Sequence, residues 1–309
     1  MQMCCICIGA HSTSTTVFRA QVISCLLGLL CWLHPGSLNG KPSVVTSFTI
    51  IQDWTQVIAS DKVTIINLVP SHSETHGYQI NPRDARELRR ATLIVGMNPN
   101  LEPWLEAWAK ANQRTDTLLW LYPEPRDHDA RAPGSDPHAW TNPAEAKKMV
   151  RVLADRLAGI SPEIDTENSY KQYVKEIDQV DLRLREWFAE LPRERRAFVS
   201  QHANLGHFAA RYGLRVPGTI LTSSSAESAD PSARHFSGLL ALIRREQIKV
   251  IVTDAGQNDA FARRLTEDAG LPPPLALSFE YLEPAGRPGD TWLSMMLHNG
   301  RRLHEALRR

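Results

Sequence analysis

The chain has 309 residues, 42% of them hydrophobic and 22% charged, with a formal net charge of +1. That profile is globular and long enough for two domains, which excludes a disordered or fibrous chain. No long basic run is present, so the electrostatic case for nucleic-acid binding is absent.

The leading segment stands apart from the rest. All five cysteines, Cys4, Cys5, Cys7, Cys25 and Cys31, lie in it, so a thiolate metal site or disulfide framework is not expected further along. Arg19 precedes a run of roughly a dozen apolar residues from Val22 to Leu33, followed by Pro35-Gly36-Ser37, the order of a secretory signal peptide. The run is shorter than the ~20 residues a membrane-spanning helix needs. Residues 1–40 are therefore expected to direct export, with a lipid anchor as the alternative because Val22-Ile23-Ser24-Cys25 looks like a lipoprotein cleavage box.

Beyond Gly40, short apolar runs alternate with helical patterns. Strands are expected at 44–47, 63–68, 93–96 and 117–121, with helices at 50–58, 81–90 and 101–111 between them. A Pro-, Asp- and Arg-rich loop over 123–136 leads to Asp136-Pro137-His138-Ala139-Trp140-Thr141-Asn142-Pro143. There Pro137 biases Asp136 away from the helical region, and Asn142-Pro143 reads as the cap and first residue of a helix running to about Ala158. From Glu163 to Leu191 there is no Gly or Pro, and Tyr173, Ile177, Val180, Leu184 and Phe188 recur at helical spacing. At ~1.5 Å per residue that helix would be about 40 Å long, suited to joining two domains. Strands at 196–200, 214–216, 249–253 and 275–278 and helices at 208–212, 233–246, 260–269 and 291–307 complete the pattern. Alternation of this kind implies parallel sheets covered by helices, with lobes at 41–162 and 192–309 and the 163–191 helix between them.

His76, His138 and His202 each lie beyond the carboxyl end of an expected strand, where open α/β sheets place ligands. Neutral imidazole is a good Zn²⁺ ligand, and three histidines leave one tetrahedral position for a carboxylate or water. His72 stands four residues before His76, but Pro70, Ser71 and Gly77 make that stretch a loop rather than a helical protease pair. His207 is expected to be core or surface, and His235, His298 and His304 to be solvated on amphipathic helices. Trp104, Trp140, Trp187 and Trp292 read as core aromatics.

Several segments together carry a family resemblance. They are Val44-Val45-Thr46-Ser47-Phe48, His76-Gly77-Tyr78 with Asn81-Pro82-Arg83-Asp84, and Gly96-Met97-Asn98 with Leu101-Glu102-Pro103-Trp104-Leu105. The series continues with Asp136-Pro137-His138-Ala139-Trp140, His202, Gly206, Phe208-Ala209, Tyr212-Gly213-Leu214, and Gly289-Asp290-Thr291-Trp292-Leu293-Ser294-Met295-Met296. From Val44 onward the chain resembles the zinc/manganese-type periplasmic substrate-binding proteins of ABC transporters.

The resemblance implies a non-enzymatic, monomeric carrier of two α/β lobes with mainly parallel sheets, joined by one long helix. The metal would sit in the interlobe cleft, and the carrier would deliver it to a membrane permease with its ATPase. His76 and His138 match ligands of the first lobe and His202 the third ligand. Glu280 falls where relatives generally have aspartate, with Glu283, Asp254 or a water as alternatives. His202 in place of a carboxylate makes the set nitrogen-rich, which suits Zn²⁺ better than Mn²⁺. Two features depart from the family pattern. Ala203-Asn204 replaces the usual Asp-Ala, and only Asp127-His128-Asp129 stands near the place of the long His-rich loop of many zinc carriers. An exported zinc hydrolase and a metal-regulated adhesin or metallochaperone are the rival functions, although no HExxH or serine-centred elbow is visible.

Overall fold

In the computed structural model, residues 40–122, 136–221 and 232–309 are described. The signal-peptide expectation, apart from Gly40, and His128 with the loop around it lie outside the described residues. Among the described residues, no helix is long and apolar enough to cross a membrane.

The first half follows the expected alternation. β1 (Ser43–Phe48), α1 (Thr49–Ala59), β2 (Thr64–Val69), α2 (Pro82–Arg90), β3 (Leu93–Gly96), α3 (Pro103–Ala111) and β4 (Leu118–Trp120) build a four-stranded sheet in the order β2-β1-β3-β4. All three pairings are parallel. β1 and β3 lie in the middle and are buried almost end to end, as strings of Val, Ile and Leu covered on both faces should be. β2 and β4 are the outer strands. α2 begins at a full capping box, in which the Asn81 side chain accepts from the Asp84 backbone and Asp84 accepts from the Asn81 N–H.

α4 (Pro143–Ile160) and α5 (Thr166–Ala189) follow. α5 has 24 residues rather than the nearly thirty expected. Asp165 accepts from the Asn168 N–H and starts the helix there, and the Leu191-Pro192 step ends the segment. Its buried stripe, Tyr173, Ile177, Val180, Leu184 and Phe188, is the one the spacing implied.

The second half holds β5 (Val199–Ser200), α6 (Gly206–Tyr212), α7 (Ala233–Arg245), β6 (Ile251–Asp254), α8 (Ala260–Ala269), β7 (Leu275–Leu277) and α9 (Trp292–Arg308). Its sheet runs β5-β6-β7, again parallel. The strand expected at 214–216 is reduced to an isolated bridge between Ala197 and Arg215. Gly213 at φ +66° ends α6 immediately before it, which leaves little extended chain to pair.

One hydrophobic cluster runs through both halves, from Phe48 and Trp54 by way of Tyr173, Leu184 and Phe188 of α5 to Trp292 and Leu303 of α9. α9 lies close against α5 because position 300 is glycine. A Cβ there would collide with the Leu184 side chain. His304, expected to be solvated, is instead buried on the α9 face that packs on α5, beside Trp187 and Phe188.

Candidate metal centre

Four side chains from four different loops meet at the carboxyl ends of the two sheets. His76 follows β2, His138 follows β4, His202 follows β5 and Glu280 follows β7. Each offers one ligand atom, and the four atoms lie within 4.8 Å of one another. His138 and His202 are almost wholly buried, at 2% exposure each. The structure thus brings together all four residues singled out in the sequence. It does not bring in Glu283, which instead lies 3.3 Å from His72 Nε2.

Each loop is braced from behind. For His76, the Trp104 indole N–H donates to the carbonyl of Thr75 at 2.8 Å, and the Gly77 N–H donates to Glu74 at 2.6 Å. Tyr78 packs on Trp104 and donates its hydroxyl to Asp84 at 2.8 Å. For His138, Asp136 Oδ1 accepts both the backbone N–H at 3.0 Å and the ring at Nδ1, at 2.7 Å. The other oxygen of Asp136 lies against Gly206, where a Cβ would come within 2.8 Å of it. Glycine at the start of α6 therefore lets Asp136 keep its place. His207 Nε2 meets the Asp136 carbonyl oxygen at 2.9 Å, so that histidine supports the loop and does not join the cluster.

His202 has its own carboxylate. Asp254, the last residue of β6, approaches Nδ1 at 2.6 Å. Asp254 is thus an orienting partner behind the histidine, where the sequence alone left it as a possible ligand. Asn204 donates to Asp254 at 2.8 Å and to Glu280 at 3.2 Å. In the sequence Ala203-Asn204 is only a departure from the family pattern, and nothing local there signals this bridge.

At the front of the site the ligand atoms crowd together at short range. His76 Nε2 and His138 Nε2 are 3.2 Å apart, and Glu280 Oε1 lies 3.3 Å from His138 Nε2 and 2.7 Å from His202 Nε2. Despite that short approach, His202 Nε2 is buried with no aligned hydrogen-bond partner.

Electrostatics divide the three histidines. Burial and the neighbouring charge of His138 push His76 down to about 4, so it stays neutral. Burial also works against charge on His138, but Asp136 and Glu280 outweigh it and raise that histidine. Burial likewise opposes charge on His202, yet Glu280 and Asp254 hold it well above the ordinary histidine range. Burial alone would raise Glu280, and the two histidines instead hold it well below the usual carboxylate range. The site is therefore a compact charge network of three nitrogens and one oxygen, with a carboxylate behind two of its three rings. A divalent cation would find three nitrogen ligands and one oxygen ligand there, with a braced outer layer.

Comparisons with known proteins show the family and the fold. A family model described as "Zinc-uptake complex component A periplasmic" matches residues 44–306. The zinc-binding lipoprotein AdcA of Streptococcus pneumoniae is 26% identical over 307 residues, covering 92% of this chain and 60% of AdcA. This chain therefore spans about three fifths of that relative's length. The manganese ABC transporter substrate-binding lipoprotein PsaA of Streptococcus anginosus is 24% identical over 282 residues, 86% of this chain and 89% of PsaA. Among solved structures, the periplasmic zinc-binding protein TroA from Treponema pallidum superposes with a TM-score of 0.78 at 24% identity. That match covers 87% of this chain and all of TroA, and it shows a shared fold.

Proposed function

This chain belongs to the family of periplasmic component A proteins of zinc-uptake complexes, and from that premise we propose that it is a carrier for a divalent transition metal. It captures one ion, Zn²⁺ in preference to Mn²⁺, outside the cytoplasmic membrane and delivers it to an ABC permease with its ATPase. It acts as a monomer and catalyses no reaction. Residues 1–40 direct export, with a lipid anchor at Cys25 as the alternative; relatives carry the name lipoprotein. The two lobes are 41–162 and 192–309, with the 163–191 segment between them.

The observation that carries this reading is the convergence of His76, His138, His202 and Glu280 ligand atoms within 4.8 Å, one of them buried without an aligned partner. Four protein ligands fill a tetrahedral sphere and leave no open position for an activated water, which favours a carrier over a zinc hydrolase. A nitrogen-rich set suits Zn²⁺ better than the oxygen-preferring Mn²⁺. Relatives are named for both metals, so the choice rests on the ligands of this chain. Protons compete for the imidazoles, and His138 and His202 hold theirs above the ordinary histidine range, so metal affinity already falls as pH drops through the neutral range. Release requires the loops of the two halves to separate.

Metal-free protein offered zinc and manganese together, followed by metal analysis, tests the reading. One equivalent of zinc is expected, and it is lost in His76→Ala, His138→Ala and His202→Ala. Preferential manganese loading would overturn the metal assignment. Retention of one equivalent in all three variants would overturn the site.

A further inference from the structure

Asn204 is buried, at 1% exposure, two residues after His202. Its Nδ2 lies 2.8 Å from Asp254 Oδ1 and 3.2 Å from Glu280 Oε1. Both neighbours are carboxylate oxygens, which only accept, so the amide must present its NH₂, and its two hydrogens match the two acceptors. One neutral side chain thereby fixes the carboxylate that orients His202 and the carboxylate that faces the ligand cluster. An aspartate here would set three carboxylates against one another, and an aliphatic side chain would leave Glu280 free to turn.

Every polar contact of Glu280 among the described residues runs through Oε1: His138, His202 and Asn204. With Asn204 engaging that atom, the carboxylate is held with one oxygen toward the cluster. Turning to offer both oxygens would strip a buried N–H of its acceptor, which a protein interior penalises.

We propose, on the reading of this site as a metal carrier, that Asn204 is a positioning residue for metal selectivity. It holds Glu280 to one-oxygen coordination and so keeps the site four-coordinate. That favours a tetrahedral ion such as Zn²⁺ over Mn²⁺, which takes an octahedral, oxygen-rich shell.

The test uses the full chain, metal-free, with Zn²⁺ and Mn²⁺ each titrated against a competing chelator and Co²⁺ as a spectroscopic reporter of coordination number. In Asn204→Ala, one equivalent should still bind while the zinc-to-manganese affinity ratio falls about tenfold, at the lower edge of outer-layer effects on metal sites. The intense visible bands of four-coordinate Co²⁺ should weaken. Asn204→Ser, which keeps one donor, should lie between the two and supplies the same comparison where Asn204→Ala does not fold. An unchanged ratio and Co²⁺ spectrum in a variant that binds one equivalent would overturn the proposal, as would an equal loss for both ions. Failure of the unsubstituted chain to take up Zn²⁺ would instead overturn the carrier reading on which the proposal rests.

Discussion

The Trp140 indole N–H donates to the carbonyl oxygen of Phe279 at 2.8 Å, joining residues 139 positions apart in the chain. Trp140 stands two residues after His138, and Phe279 directly precedes Glu280. One buried bond therefore helps set how far a histidine from the first half stands from the carboxylate of the second. The same tryptophan accepts at its own carbonyl from Trp292 Nε1 at 3.1 Å, which ties the arrangement to the start of α9.

Replacing Trp140 by Phe keeps most of the apolar contact and removes the donor. The Phe279 carbonyl is then left unpaired in the interior, at a cost of about 1–3 kcal/mol in urea unfolding of the metal-free protein. Zinc affinity should also fall about tenfold, because the Glu280 loop loses its fixed distance from His138. Lowered stability with unchanged chelator competition would mean that the bond braces the fold and not the site.

Asp136 and Asp254 stand behind His138 and His202 at 2.7 and 2.6 Å from Nδ1. Removing either carboxylate should weaken zinc binding about 10–100-fold without changing its stoichiometry. Asp136→Asn keeps an acceptor oxygen for the His138 backbone and ring, so it should lose less than Asp136→Ala. Gly206→Ala reaches the same carboxylate from the other side, because its Cβ would press on Asp136 Oδ2. It should resemble Asp136→Asn in isothermal titration and leave His202 unaffected. Equal affinity in Asp136→Ala and the unsubstituted chain would dismiss the orienting role.

How much of this was legible in the sequence differs by element. The helix starting at Pro82 and the strand Leu93–Gly96 were visible because a capping pair and a short apolar run are local signals. The three histidines were visible because each follows a strand, and strand ends collect on one edge of a parallel sheet. Glu280 followed only by likeness to a family. Asn204 and Asp254 could not be assigned, because their roles depend on β5, β6 and β7 lying side by side. His304 has the pattern of a solvated residue and is buried. Its helix is amphipathic, but the buried stripe is wider than periodicity suggested, since Gly300 lets α5 come close.

A different buried carboxylate gives a test of stability that does not involve metal. Glu102 is fully buried and accepts from Ser47 Oγ–H, from the Met97 N–H at 2.8 Å and from the Asn98 N–H at 2.8 Å. Burial pushes its carboxyl up to about 7, although those donors pull the other way. Below about pH 4.5 Glu102 is protonated in both native and unfolded chains and contributes no slope. As pH rises from there to 7, the unfolded chain gives up its proton first. The native state then binds more protons than the unfolded one, and stability falls by about 3 kcal/mol in total. Glu102→Gln cannot titrate, and its single acceptor oxygen leaves a donor short, a constant cost of about 1–3 kcal/mol. The advantage of the unsubstituted chain in urea midpoint should therefore vanish or reverse as pH rises from 4.5 to 7, and stay level above it. A gap that is constant across the range would show that the three donors keep Glu102 ionised in the native state throughout.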